Sequence, residues 1–108
     1  NNMNIPKHYT VGGVSVDVEI VDRLGSGKLG ECQLAVGKVT IAKNFMSDNE
    51  QYQQSDSNKE NTFYHELTHS ILDTMAEFEL SGNEKFVSTF SSLLTEAMKS
   101  AGVTYSNQ

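Results

Sequence analysis

The run Phe63-Tyr64-His65-Glu66-Leu67-Thr68-His69-Ser70-Ile71-Leu72-Asp73 sets how the rest of the 108-residue chain reads. Its apolar residues recur with helical spacing. Phe63, Leu67 and Ile71 continue to Met75 and Phe78, a stripe that predicts an amphipathic helix with that face in the core. Ser57-Asn58-Lys59-Glu60 fits a capping box, so the helix is expected to begin near Ser57 and to run to about Leu80. His65 and His69 flank the stripe one turn apart, with Cβ atoms about 5–6 Å from each other, and two imidazoles so placed can reach one zinc ion. Glu66 points about 100° away from His65 and can bind a water held by that metal.

Upstream of this helix the period changes to two. Between Val11 and Val21, Val14, Val16, Val18 and Ile20 share one face while Ser15, Asp17 and Glu19 share the other, the pattern of a half-buried strand. Gly12-Gly13 reads as a bulge or a tight turn before it. Turn residues fill positions 22–28; Leu29 to Val36 is extended, and after Gly37-Lys38 the run Val39 to Lys43 alternates again, which predicts a β-hairpin. The polar segment from Asn44 to Asn58 is expected to be an exposed loop, either a plain connection or a lid. Downstream, Ser81-Gly82-Asn83 breaks the helical pattern. A second helix is expected from about Asn83 to Ala101, with Phe86, Val87, Phe90, Leu93, Leu94, Ala97 and Met98 as its apolar face and Gly102 as its stop. The expected fold is α+β in one domain spanning residues 1–108: about three antiparallel strands, then two antiparallel helices, the first carrying the histidine pair.

Composition narrows the function classes. Eight basic residues, scattered singly, face fourteen acidic ones for a net charge of −6, so there is no basic stripe to neutralise phosphates and nucleic acid is not an expected partner. No apolar run has the length of a membrane helix, so no membrane partner is expected either. Cys32 is the single cysteine, which rules out an intrachain disulfide and makes a reducing cytoplasm the simplest setting. Asn1-Asn2-Met3-Asn4 leaves room for the remnant of a removed signal peptide.

Two histidines do not complete a catalytic zinc site, which usually has three protein ligands. The metzincin pattern would need glycine at position 72 and histidine at position 75, where this chain has Leu72 and Met75. Glu84, in the first turn of the second helix, can be returned toward the histidines by an antiparallel neighbour. It also fits a capping box, Ser81-Gly82-Asn83-Glu84, in which it would only bind a backbone N–H. Cys32 precedes the pair on a strand, where it reads as a buried small residue before it reads as a ligand. Asp73 is placed either to accept an imidazole N–H or to sit solvated on the helix. Glu77, Glu79 and His8 read as surface residues.

His65-Glu66-Leu67-Thr68-His69, with Glu84 on the next helix and Phe86, Val87, Phe90, Leu93 and Leu94 behind it, resembles the gluzincin metallopeptidases, in particular the very small ones of prokaryotes and their phages. The likeness covers about residues 30 to 98. It implies that His65, His69 and Glu84 bind Zn2+, that Glu66 is the general base and acid, and that a peptide or protein substrate lies along the strand Val39 to Lys43 or its hairpin partner. Larger gluzincins stabilise the oxyanion with a histidine or tyrosine from a C-terminal subdomain. The candidates here are Tyr105, Tyr52, Tyr9 and His8, and Tyr105 is assigned the role. The rival expectation is a latent or non-catalytic zinc-containing regulatory module.

Overall fold

The computed structural model describes residues 4–105. Most of the proposed leader remnant, Asn1 to Met3, and the end of the C-terminal tail lie outside the described residues. The elements are β1 (His8–Val11), β2 (Val14–Arg23), β3 (Gly30–Gln33), β4 (Lys38–Ser47), β5 (Glu50–Gln53), α1 (Asp56–Thr74), α2 (Phe78–Ser81) and α3 (Glu84–Ser100). No helix among the described residues is long and apolar enough to cross a membrane.

The sheet is five-stranded and mixed, which corrects the expectation of about three antiparallel strands. Its order is β1-β2-β4-β3, with β5 pairing the end of β4. Gly12 and Gly13, both at positive φ, form a two-residue turn that folds β1 back on β2 with Val11 opposite Val14. The alternation from Val11 to Val21 is therefore the end of one strand and most of another. The β3–β4 hairpin forms as expected, with Cys32 opposite Val39. The chain leaving β2 skips one strand position, lays down β3, and returns through a 3-10 turn at Leu34–Val36 to place β4 in the gap, parallel to β2 with Val18 beside Val39. Alternation within a strand carries no information about which neighbour it will meet. The sign of a central strand lies in Val39-Thr40-Ile41-Ala42, all buried, a run with no solvated face. The expected loop from Asn44 is largely strand as well: β4 continues to Ser47, Asp48 and Asn49 turn the chain at φ 52° and 67°, and β5 returns fully exposed.

The helices number three, not two. Ser55 caps α1 by accepting from Asn58 N–H at 3.1 Å, two residues before the expected capping box. Glu60, read as part of that box, is instead buried, paired with Lys99 Nζ at 2.7 Å and accepting from Asn4 N–H at 2.8 Å. Ala76, at φ 62°, ends α1 well before Leu80, and the single turn α2 follows. The core gathers Val16, Val39, Ile41, Phe63 and Tyr64 between the sheet and the helices, with Leu94, Met98 and Tyr105 packed against it. The expected apolar stripe of α1 is therefore buried only in its first half: Ile71, Met75 and Phe78 are exposed, while Ser70 and Leu72 are buried and Thr74 meets the β1–β2 turn at Gly12. On α3 the buried positions are Val87, Ser91 and Thr95, while Phe90 and Leu93 are exposed. Small side chains let α3 lie close to α1, and the larger apolar residues are turned outward.

Gly37 fixes the return of β4. It lies at φ +67°, its carbonyl accepts from Asp17 N–H at 2.9 Å, and a Cβ there would stand 2.6 Å from Ser15 O. Gly13 has the same sign of φ and open space around it. Gly37→Ala should therefore lower the urea midpoint by more than Gly13→Ala, whose cost is the backbone strain alone, about 1 kcal/mol. Equal losses would show that the β2–β4 junction tolerates a side chain.

Candidate metal centre

Gly30 opens β3 directly above α1. A Cβ at this position would stand 2.5 Å from Thr62 Cγ2 and 3.0 Å from Glu66 Oε2, so the strand approaches the helix as closely as it does because no side chain intervenes. The contact buries Glu66, 7 % exposed, while leaving His65 and His69 half-buried on the adjoining face of α1.

From the other side comes α3. Asn83 is its cap and accepts from Phe86 N–H at 3.0 Å, which frees Glu84 from capping. Ser81 is equally free of the capping-box role, so the reading of Glu84 as a mere cap falls away. The Glu84 carboxylate lies 3.8 Å from His65 Nε2 and 4.0 Å from His69 Nε2, and the three ligand atoms all fall within 4.8 Å of one another. The imidazole centroids are 5.0 Å apart. A tetrahedral ion would draw such donors to about 3.3 Å from each other. Because the Glu84 side chain is 71 % exposed, a change of rotamer supplies that movement without disturbing the core. Two imidazole nitrogens and a carboxylate, converging from two helices, form a donor set that fits a divalent metal ion.

The side chains behind these ligands differ from those expected. His69 Nδ1 and Ser81 Oγ are hydrogen-bonded at 2.9 Å; with the ring proton on Nδ1, Nε2 keeps its lone pair toward Glu84. Asp73, the expected partner of an imidazole, lies near His69 and Glu84, but among the described residues its carboxylate makes no hydrogen bond or ion pair, and only its backbone carbonyl accepts, from Ala76 N–H at 3.0 Å. Ser81 escaped notice because it sits in a helix break whose purpose is visible only in three dimensions: α2 carries it back over His69. Burial, followed by the neighbouring His69, lowers the His65 pKa against the opposing pull of Glu84, which favours the neutral imidazole that a metal requires. Burial, with Glu84 and Glu31 adding to it, raises the Glu66 carboxyl to about 7, and Lys28 opposes the shift.

Two hollows meet at this point. One of about 350 Å³ is bordered by Lys28, Asn58, Asn61, Thr62 and Ser88; the other, of about 450 Å³, by Glu31, Cys32, His69, Asp73 and Glu84. They share Lys28, Gly30, His65 and Glu66. Cys32 faces the second hollow, yet it does not join the converging set, and burial raises its thiol to about 11, where it is a weak ligand. Tyr105, assigned to the oxyanion, is elsewhere: its hydroxyl is hydrogen-bonded to Tyr64 and its ring stands edge-on to Phe63. Tyr9 bonds Ser70 Oγ at 2.9 Å and Tyr52 bonds Glu50, while His8 lies on the outer strand β1; none of them lines either hollow.

Titration with Co2+, followed by its visible absorption, should give one site in the wild type. Glu84→Ala should weaken binding by at least about 100-fold, Ser81→Ala by about 10- to 100-fold, and Cys32→Ser not at all. An unchanged affinity in Glu84→Ala would return that residue to the solvent. No protein-family model, curated protein or solved structure matches the chain, so the functional reading rests on the geometry of the site itself.

Proposed function

We propose that the chain is a zinc-dependent metallopeptidase that cleaves peptide bonds with a metal-activated water. The observation that carries this reading is the position of Glu66. It is a buried carboxylate, without a hydrogen-bond partner among the described residues, next in sequence to one metal ligand and facing both hollows beside the other two. Two histidines and a carboxylate alone would suit several metals. A base set beside them favours hydrolysis, and hydrolysis favours zinc.

Zinc in this site would supply a Lewis acid for the carbonyl and would lower the pKa of a water toward about 7. His65, His69 and Glu84 would hold the ion, and Ser81 would fix the imidazole of His69. Glu66 takes a proton from the water as its oxygen adds to the carbonyl carbon, then passes that proton to the amine nitrogen as the C–N bond breaks. Burial places its pKa near 7, where a carboxyl can both accept and return a proton at neutral pH. The substrate strand has a natural place to lie. β4 is flanked on both sides, by β2 and β3, whereas β3 pairs only with β4 and borders the second hollow with Glu31 and Cys32. Its outer edge offers backbone groups to an extended peptide. The lone cysteine supports a cytoplasmic setting.

A second reading, a latent or non-catalytic zinc module, is favoured by the tie between Tyr105 and Tyr64, which removes the expected oxyanion donor from the site. Glu66→Gln separates the two. In the peptidase it should keep the metal and lose hydrolysis of unfolded protein substrates by at least about 100-fold. A wild-type protein that holds zinc and cleaves none of a varied panel of unfolded substrates would support the latent module, and equal activity in the variant would remove Glu66 from the mechanism.

A further inference from the structure

We infer that Lys28 supplies the positive charge that stabilises the oxyanion, the role for which the sequence offered Tyr105; the inference rests on the peptidase reading of the same site. Metal-assisted attack on an amide places a full negative charge on the former carbonyl oxygen. One donor aimed at that oxygen is typically worth a factor of about 10²–10³ in rate. The four polar residues first considered for the task, Tyr105, Tyr52, Tyr9 and His8, line neither hollow, so the donor must come from the groove itself.

Among the described residues Lys28 is the only lysine or arginine bordering either hollow, and it borders both. They meet at His65 and Glu66, where the reacting carbonyl must sit if Glu66 is to reach the attacking water. The backbone beneath the lysine is held on both sides. Lys28 N–H donates to Gly25 O at 3.2 Å, and Leu29 O accepts from Ala42 N–H at 2.9 Å. Two residues on, Gly30 touches Glu66 and Thr62, so the stem of the lysine starts beside the proposed base.

The ammonium is also free to move. Its one ion pair, with Glu31 Oε2 at 3.4 Å, joins side chains that are 53 % and 36 % exposed, and such a surface pair contributes little. A flexible four-carbon stem with three donors can leave Glu31 for a stronger anion as the charge develops. Among the other charged groups around the second hollow, Glu31, Glu66, Asp73 and Glu84 are all acids and would repel an oxyanion. The remaining groups at the first hollow, Asn58, Asn61, Thr62 and Ser88, carry no charge.

Lys28→Gln and Lys28→Arg test the assignment in two ways. In the zinc-loaded enzyme, Lys28→Gln should lower kcat by about 100-fold or more, with KM changed by less than about threefold and metal content unaltered, while Lys28→Arg should recover a large part of the loss. The second test does not require turnover. Phosphinic pseudopeptides of alanine and phenylalanine, whose tetrahedral phosphorus carries a negative oxygen, are titrated into zinc-loaded Glu66→Gln protein beside the corresponding amides. Adding Lys28→Gln should weaken phosphinic binding at least tenfold and leave amide binding unchanged. Equal losses for both ligands, no loss for either, failure of the phosphinic peptides to bind, or loss of metal in Lys28→Gln would overturn the role. If the phosphinic preference depends on Lys28 but the wild type cleaves no peptide, the peptidase reading fails and the anion-binding role of Lys28 stands.

Discussion

The close approach of β3 to α1 at Gly30 is the constraint on which the site depends. With a Cβ there meeting Thr62 Cγ2 at 2.5 Å, any side chain would push the strand away from the helix. The consequences would reach three groups together. Glu66 would lose the burial that dominates its raised pKa, Lys28 would move with the start of the strand, and the outer edge of β3 would shift relative to the histidines. A single small residue thus sets the distances among Glu66, Lys28 and the outer edge of β3.

α1 serves three surfaces with successive residues. Phe63 and Tyr64 enter the core, His65 and His69 face α3, and Glu66 faces β3. Successive residues on a helix point about 100° apart, so one turn is enough to reach all three. The arrangement places the charged chemistry at the border of the apolar core instead of within it. Glu84 stays largely in solvent, so its charge carries little desolvation cost, while the half-buried His65 loses enough water to favour its neutral form.

The parts that could be read in the sequence are those in which spacing along one element sets the geometry. The His65–His69 pair, the Glu66 position and the β3–β4 hairpin are of this kind. Glu84 was legible as one of two alternatives, and Asn83, by taking the cap, removes one of them. The parts that could not be read depend on contacts between elements. The parallel pairing of β2 with β4 leaves no mark in the alternation of either strand, although the four consecutive buried residues of β4 hint at its central place. Apolar periodicity overstated the core of both helices: Met75, Phe78, Phe90 and Leu93 repeat with the right period yet are exposed, and on α3 the buried positions are Val87, Ser91 and Thr95 instead. The break after α1 was placed too late because Ala76 adopts a left-handed conformation that its side chain does not announce. Tyr105 was assigned by elimination among hydroxyls, and its contact with Tyr64 spans a sequence separation that no local pattern encodes.

α3 is held against α1 by different means at its two ends. Near its C-terminus, Lys99 meets the buried Glu60 at 2.7 Å, and Asn4 joins both Glu60 and the backbone of Val103. Along the middle, Val87, Ser91 and Thr95 permit close contact but bury little apolar area. At its N-terminus, Glu84 faces His65 and His69 across gaps too long for hydrogen bonds. A metal ion would close that end by replacing these gaps with coordination bonds. Because the three donors converge only when α1 and α3 are packed, the ion binds the folded chain in preference to the unfolded one, and its binding free energy becomes stability of that contact. An ion bound there would thereby fasten the N-terminal end of α3 to α1.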